Sequence, residues 1–269
     1  MLSDYLIVSD VDGTLLPGDG KLPRRTVEAV RRFIAEGGNF SLNTGRVHFG
    51  CSSLLKELGI RIPSIHCNGA YLYDPTADRE IEPTYLPWEA REGLLKAAEY
   101  FPDVCLAVFD EHSFIRLNQP RVVTEVCRRW CGELPLTRPE DVPGEWYKAL
   151  LFREAEGMAE LHAYLDQNPL PGCCYVNSAA SLCEIMEKTV NKGEGLRKLA
   201  RVLGIPIENT FAIGDYFNDV SMLKAAGTSV AVGDGAPEIR AMCDMTVGPC
   251  AGGAAADLIE YLEKKEGLR

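Results

Sequence analysis

The chain has 269 residues, of which 46% are hydrophobic and 25% are charged, and its formal net charge is −11 at pH 7. This composition is typical of an ordinary folded protein with one large or two modest domains. The acidic balance argues against a nucleic-acid-binding surface, although a local metal ion or lysine could still attract a small anionic substrate. No apolar run approaches the ~20 residues that span a bilayer, and the N-terminus has no signal-peptide pattern, so we expect a cytoplasmic protein without membrane contact.

The N-terminal third alternates between predicted strands and helices. The elements are, in order, a strand at residues 5–9, a helix from about 23 to 36, a strand at 39–42, a leucine-rich helix that ends at Gly59, and a strand at 64–67. This β-α-β-α-β alternation favours a parallel sheet. The first strand is strongly apolar and leads directly into two carboxylates, Asp10 and Asp12.

From about residue 82 to residue 181 the pattern changes to hairpins mixed with helices. Strands at 104–109 and 113–117 are predicted to pair across Asp110, Glu111 and His112, and a second strand pair is predicted near residues 173–185. Such a mixture is typical of an antiparallel α+β unit. We therefore predict that residues 83–181 form an insertion.

The α/β pattern resumes after Glu187. The elements are a helix opened by Lys192-Gly193-Glu194-Gly195, an apolar strand at 210–213, a helix from about 220, a strand at 229–232 and a C-terminal helix at 254–264. The simplest interpretation is one discontinuous α/β core domain, residues 1–82 and 182–269, that carries the inserted unit.

Four polar clusters follow a predicted strand or open a predicted helix. They are Asp10 with Asp12, Thr44-Gly45-Arg46, Lys192, and Asp215 with Asn218 and Asp219. The strand exits of a parallel sheet lie on one edge, so these clusters should converge. Carboxylate oxygens suit Mg²⁺, and a hydroxyl, a backbone amide and a lysine can hold phosphate oxygens. The set predicts phosphoryl transfer, in which a carboxylate attacks phosphorus in line and forms an aspartyl-phosphate.

The spacing of Asp10 and Asp12 suggests two different roles. One carboxylate must be an ionised nucleophile at the metal, and the other must hold a proton for the leaving oxygen and later take one from water. Different surroundings can separate the pKa values of two carboxylates in this way. The chemistry alone does not decide which residue is which.

The same residues resemble a known family. The motifs Asp10-Val11-Asp12-Gly13-Thr14, Thr44-Gly45-Arg46, Lys192 and Gly214-Asp215-Tyr216-Phe217-Asn218-Asp219 resemble, in the same order, the four motifs of the haloacid dehalogenase-like hydrolases. The insertion, with Asn68-Gly69-Ala70 before it, resembles the Cof-type phosphatases that carry the subclass IIB cap. The resemblance covers essentially the whole chain. It implies a Rossmann-like parallel-sheet core and an α+β cap that determines substrate specificity.

The resemblance also implies residue roles. Asp10 would be the nucleophile and a metal ligand, and Asp12 would be the general acid/base with its backbone carbonyl on Mg²⁺. Asp215 would complete the metal site, and Thr44 and Lys192 would hold the phosphoryl group. Asn218 and Asp219 would be supporting ligands or partners of the ligands, and Gly45 would offer its amide to the phosphate.

Other residues allow two interpretations. Arg46 either contacts the substrate or forms a surface ion pair, and Asn68 either belongs to the site or is a turn asparagine before Gly69. Asp219 either binds the metal or is a favourable charge at a helix N-terminus. Tyr216 and Phe217 occupy positions that are often small or acidic in such relatives, and they either narrow the entrance or pack beneath the cap.

The sequence therefore predicts a Mg²⁺-dependent phosphatase of small phosphorylated metabolites, with sugar phosphates as the expected substrates, in a monomer or weak homodimer. A phosphomutase or phosphotransferase of the phosphomannomutase type is the first alternative, because it shares these motifs and a similar cap. A non-catalytic phosphometabolite-binding protein is the second alternative. The complete set of nucleophile, acid/base, lysine and metal aspartate argues against it.

Overall fold

The computed structural model describes residues 1–110, 113–142 and 144–267. The strands and helices are, in chain order, β1 (Leu6–Ser9), α1 (Arg24–Ala35), β2 (Asn39–Leu42), α2 (Ser52–Leu58), β3 (Ser64–His66), β4 (Tyr71–Asp74), β5 (Arg79–Ile81), α3 (Trp88–Tyr100), β6 (Cys105–Phe109), β7 (Phe114–Arg116), α4 (Glu125–Cys131), β8 (Lys148–Phe152), α5 (Met158–Gln167), β9 (Cys173–Ala179), β10 (Leu182–Glu187), α6 (Lys192–Leu203), β11 (Thr210–Gly214), α7 (Val220–Ala225), β12 (Thr228–Ala231), α8 (Pro237–Met242), β13 (Met245–Thr246) and α9 (Ala254–Lys265). Within those described ranges, no helix combines the length and the apolar character that crossing a bilayer would require.

The chain divides into two compact units. The core unit consists of Met1–Pro83 and Val190–Arg269, and the inserted unit consists of Thr84–Thr189. The predicted boundary after residue 82 lies beside the first observed one. The second boundary lies later than residue 181, because β10 pairs with β8 and β9 and so belongs to the sheet of the inserted unit.

The core unit is built on a parallel sheet with the strand order β13-β12-β11-β1-β2. Both faces of β1 are covered by helices. Ile7 packs in the cluster that contains Val30 of α1, whereas Leu6 and Val8 pack in the cluster that contains Leu196 of α6. Burial on both faces explains why this strand is a continuous apolar run and does not alternate with polar residues.

The strand predicted at residues 64–67 is not a regular member of that parallel sheet. β3 pairs antiparallel with β4, and β4 pairs antiparallel with β5. A parallel bridge between Asn43 and Ile65 connects β3 to the end of β2, and the Thr44 amide donates a hydrogen bond of 3.0 Å to the Ile65 carbonyl. The loop that carries Thr44 is therefore fixed to β3.

The inserted unit contains an antiparallel sheet with the order β7-β6-β8-β10-β9. Leu106 on β6 packs with Leu94 of α3 and Leu161 of α5, whereas Ala107 packs with Cys131 of α4, so helices lie on both faces of this sheet as well. The predicted hairpin is present, with β6 and β7 paired antiparallel. Residues 111 and 112 of its predicted turn lie outside the described residues. The predicted fold class, a parallel α/β core with an inserted α+β unit, is confirmed.

The N-terminus of α6 packs closely against the turn between β3 and β4, and glycines make this approach possible. Gly69 has a φ of +103°, and a Cβ atom there would lie 2.3 Å from the Asn191 carbonyl oxygen. A Cβ atom on Gly195 would lie 2.5 Å from the Ile65 side chain and 3.0 Å from the Gly69 Cα. Lys192, the first residue of α6, is therefore held in a fixed position relative to this turn.

This packing predicts that Gly69→Ala destabilises the protein strongly. The new methyl group would both clash with backbone and adopt a left-handed conformation, so we expect a loss of about 3 kcal/mol and a fall in Tm of roughly 5–10 °C. Thermal unfolding followed by circular dichroism measures the effect.

Gly204→Ala is the matched control. Gly204 has a φ of +69° but nothing within 4 Å of the added Cβ, so only the backbone cost of about 1 kcal/mol should appear. Equal losses in the two variants would show that the close contact at Gly69 is not a constraint on the fold.

Candidate active site

A buried group of three charged side chains joins the end of β1, the start of α6 and the loop that follows β11. Asp10 follows β1 directly, and its amide donates a hydrogen bond of 3.0 Å to the Ile213 carbonyl of β11. The Lys192 Nζ lies 2.5 Å from Asp10 Oδ1 and 2.6 Å from Asp219 Oδ1. All three side chains are buried. The ammonium of Lys192 is thus shared by two carboxylates from different parts of the core unit.

Both oxygens of Asp219 are engaged. Oδ1 accepts from Lys192, and Oδ2 accepts from the backbone amides of Asp215 at 3.0 Å and Tyr216 at 3.2 Å. Asp219 therefore fixes the loop after β11 onto Lys192. We expected Asp219 either to bind the metal or to be a favourable charge at a helix N-terminus. Neither interpretation describes its contacts fully, because Asp219 orients Lys192 and the loop that carries Asp215.

Asp215 is held by the loop that follows β1. Its Oδ1 accepts a hydrogen bond of 2.7 Å from the Thr14 hydroxyl. Gly13 has a φ of +85°, and a Cβ atom there would lie 2.4 Å from Asp215 Oδ2. Gly13 thus permits the close approach that Thr14 secures. The sequence placed Thr14 in a motif but assigned it no role, because a hydroxyl bond across 201 residues leaves no local signal.

The carboxylates of Asp10, Asp215 and Asp219 form a negatively charged cluster, with ligand oxygens within 4.8 Å of one another. Burial raises the pKa of Asp10, although the Lys192 ammonium opposes this shift. Burial also raises the pKa of Asp215, against the hydrogen bond from Thr14. Burial by itself would lower the pKa of Lys192, but Asp10 and Asp219 outweigh it and the pKa is raised. One ammonium therefore neutralises only part of the charge of three carboxylates.

The donor set fits a hard divalent cation. Among the described residues, no hydrogen bond reaches Asp10 Oδ2, Asp215 Oδ2 or the backbone carbonyl oxygen of Asp12. These oxygens are the type of ligand that Mg²⁺ prefers, and a cation would offset the uncompensated negative charge. Asp219 is less available as a direct ligand because both of its oxygens are already bonded.

Asp12 points toward Arg46 in an ion pair with two contacts. The Arg46 Nη2 lies 2.5 Å from Asp12 Oδ1, and Nε lies 2.9 Å from Oδ2. The Asp12 side chain is 62% exposed, so this carboxylate is accessible, unlike that of Asp10. Arg46 thus forms an ion pair with Asp12, as one of its two interpretations expected.

Thr44, Gly45 and Asn68 lie together beside this pair. Thr44 is buried, and its hydroxyl accepts a hydrogen bond of 3.1 Å from the Arg46 amide. The backbone amide of Asn68 donates a hydrogen bond of 2.9 Å to the Thr44 carbonyl oxygen. A Cβ atom on Gly45 would lie 3.2 Å from the side-chain oxygen Oδ1 of Asn68. Asn68 is buried with a φ of +57°, which fits the turn interpretation and also places it against the Thr44 loop.

The residues between Asp215 and Asp219 are exposed. Asn218 is exposed, and its side chain makes no hydrogen bond within the described part of the chain. Tyr216 and Phe217 are also exposed, and their rings contact each other edge to face. The structure therefore brings Asp10, Lys192 and Asp215 together directly, whereas Asn218 is near them only through the backbone.

Known proteins resemble this chain in sequence and structure. A family model for haloacid dehalogenase-like hydrolases matches residues 7–259. The chain is 28% identical over 255 residues to the 5-amino-6-(5-phospho-D-ribitylamino)uracil phosphatase YitU of Bacillus subtilis, covering 90% of this chain and 91% of that protein. It is 28% identical over 261 residues to the pyridoxal phosphate phosphatase YbhA of Escherichia coli, covering 92% and 94%.

The fold also matches a solved structure. A haloacid dehalogenase-like hydrolase from Bacteroides thetaiotaomicron superimposes with a TM-score of 0.85 at 22% identity, covering 96% of this chain and 99% of that chain. The prediction of a phosphoric monoester hydrolase agrees with the two relatives, which are both named phosphatases. The family predicted from the four motifs is confirmed: the chain belongs to the haloacid dehalogenase-like hydrolases.

Proposed function

We propose that this hydrolase is a Mg²⁺-dependent phosphatase that acts on small phosphorylated metabolites through an aspartyl-phosphate at Asp10. The observation that carries the proposal is the buried Asp10 carboxylate, which shares the Lys192 ammonium and lies next to Asp215. The named phosphatase relatives, which act on the phosphate esters in their names, support the substrate class. We also propose that the inserted unit, Thr84–Thr189, takes part in substrate selection.

The first step is the attack of an Asp10 carboxylate oxygen on phosphorus. The new bond joins Asp10 to the phosphoryl group, and the bond between phosphorus and the leaving oxygen breaks. The electron pair of that bond remains on the leaving oxygen, which takes a proton from the carboxyl group of Asp12. The product of this step is a phosphorylated Asp10, an alcohol and an ionised Asp12.

The second step returns the enzyme to its starting state. Asp12, now a carboxylate, takes a proton from water while the water oxygen attacks phosphorus. The bond between phosphorus and Asp10 breaks, inorganic phosphate is released, and Asp10 becomes a carboxylate again. In the structure, the Asp12 side chain is held by Arg46 through two contacts. For the first step, the Asp12 side chain has to leave Arg46 and turn toward the leaving oxygen.

The surrounding residues bind the phosphoryl group and offset its negative charge in both steps. Lys192 keeps positive charge 2.5 Å from Asp10 and offsets the repulsion between that carboxylate and the phosphate. Thr44 and the amide of Gly45 hold phosphoryl oxygens. Asp10, Asp215 and the carbonyl of Asp12 would hold Mg²⁺, which when bound supplies further positive charge against the phosphate.

We expect Asp10→Asn to abolish turnover. An amide is not a nucleophile of comparable strength, so the release of inorganic phosphate should fall by at least about 10³-fold in a screen of phosphomonoesters with Mg²⁺. The control Asp4→Asn, at a carboxylate that is 55% exposed, should retain full activity. Near-normal phosphate release by Asp10→Asn would rule out the proposal. Formation of an isomerised sugar phosphate without free phosphate would instead support the phosphomutase.

We expect Asp215→Asn and Asp219→Asn to have different effects. Asp215→Asn removes a direct ligand, so the Mg²⁺ concentration for half-maximal activity and the Kd from calorimetry should rise at least about tenfold. Asp219→Asn should change Mg²⁺ affinity less but lower Tm more, because it deprives buried Lys192 of a charged partner.

Removal of metal by EDTA should abolish activity, and Mg²⁺ should restore it. Activity that survives complete metal removal would contradict the metal requirement.

A further inference from the structure

Two exposed aromatic side chains directly follow Asp215. Tyr216 and Phe217 are 49% and 52% exposed, and their ring centroids lie 5.1 Å apart at an interplanar angle of 77°. Adjacent large aromatic rings on a surface leave apolar area in contact with water, which is typical of a binding surface. The neighbouring positions of the same loop are polar or buried, so the pair stands out within it.

The backbone beneath these rings is held from two sides. The Tyr216 amide donates to Asp219 Oδ2 at 3.2 Å, and the Asp219 amide donates to the Tyr216 carbonyl at 3.0 Å. The Asp215 carbonyl accepts a hydrogen bond of 2.9 Å from the Ala236 amide. Asp219 is in turn bonded to buried Lys192. A loop anchored in this way fixes the backbone from which the rings project, which lowers the entropic cost of binding a ligand.

The backbone that carries the two rings also lies close to the proposed phosphoryl site. Consecutive Cα atoms are ~3.8 Å apart, so the Cα atoms of Tyr216 and Phe217 lie within about 8 Å of that of Asp215. A phosphate held beside Asp10 and Asp215 would have its ester group within reach of an aromatic side chain that starts at this distance. The pair is therefore suited to contact the leaving group of a substrate.

We propose, on the basis of the phosphatase function proposed above, that Tyr216 and Phe217 stack against the leaving group and favour phosphomonoesters with a planar aromatic or heteroaromatic ring. The two side chains offer π-faces and a single hydroxyl group. A planar ring can use such a surface fully, whereas a sugar presents a puckered ring with many hydroxyls that need hydrogen-bond partners. The preferred substrate class would then differ from the sugar phosphates expected from the sequence.

Benzyl phosphate and cyclohexylmethyl phosphate test this inference with little change in reactivity. Both are esters of a primary alcohol and have similar size, but only the first has a planar ring. With Mg²⁺, we expect kcat/KM to be about tenfold higher for benzyl phosphate, mainly through a lower KM. In the double variant Tyr216→Leu/Phe217→Leu, which keeps apolar bulk but removes the rings, the ratio should fall to about one.

Tyr261→Leu is the matched control, because Tyr261 is 47% exposed and lies on α9, outside this loop. It should keep the tenfold preference. Equal kcat/KM values for the two esters in the unaltered enzyme would overturn the inference without any variant, so misfolding of the double variant cannot hide the result. Equal losses for both esters in a folded double variant would also overturn it, because the rings would then serve the packing of the protein itself.

The test separates this inference from the function on which it rests. Hydrolysis of other phosphomonoesters without any turnover of benzyl phosphate would overturn the aromatic preference and leave the phosphatase function intact. Failure to release phosphate from every phosphomonoester in the screen would overturn the phosphatase function itself.

Discussion

The architecture of the candidate active site depends on the buried ammonium of Lys192, which lies between the carboxylates of Asp10 and Asp219. A buried charge is tolerated only when it is paired, and removal of one partner from such a pair typically costs about 3–5 kcal/mol. The pairing joins the end of β1, the start of α6 and the loop after β11. The glycine contacts at the N-terminus of α6 fix the position of Lys192 in the same region. Packing and electrostatics therefore impose one arrangement on these three segments.

The same arrangement leaves negative charge without compensation. Lys192 neutralises only part of the charge of three carboxylates, and burial raises the pKa of Asp10 and Asp215. A structure optimised only for stability would not collect carboxylates in this way, because each adds repulsion to the others. Such a cluster is understandable when a cation and a phosphate bind there. Under the proposed function, the site would sacrifice some stability of the unliganded protein for charge complementarity to the cation and the phosphate.

The sequence predicted which residues converge at the candidate site because strand exits in a parallel sheet share an edge. The apolar runs identified the sheet, and this rule then predicted that Asp10, Lys192 and Asp215 converge. The prediction of sheet membership failed where tertiary contacts decide which strands pair. β3 pairs mainly antiparallel, and β10 belongs to the sheet of the inserted unit. The partner of Arg46 and the bond from Thr14 to Asp215 could not be predicted either, because short polar segments allow many contacts and only the folded geometry selects one.

A phosphoryl group bound covalently to Asp10 would be the most direct evidence for the proposed chemistry. The enzyme would be mixed with a phosphomonoester labelled in its phosphate, quenched in acid at short times, digested and mapped by mass spectrometry. The mechanism requires transient label on the peptide that contains Asp10, formed before free phosphate and absent in Asp10→Asn. Release of labelled phosphate with no label on that peptide at any quench time would contradict nucleophilic attack by Asp10.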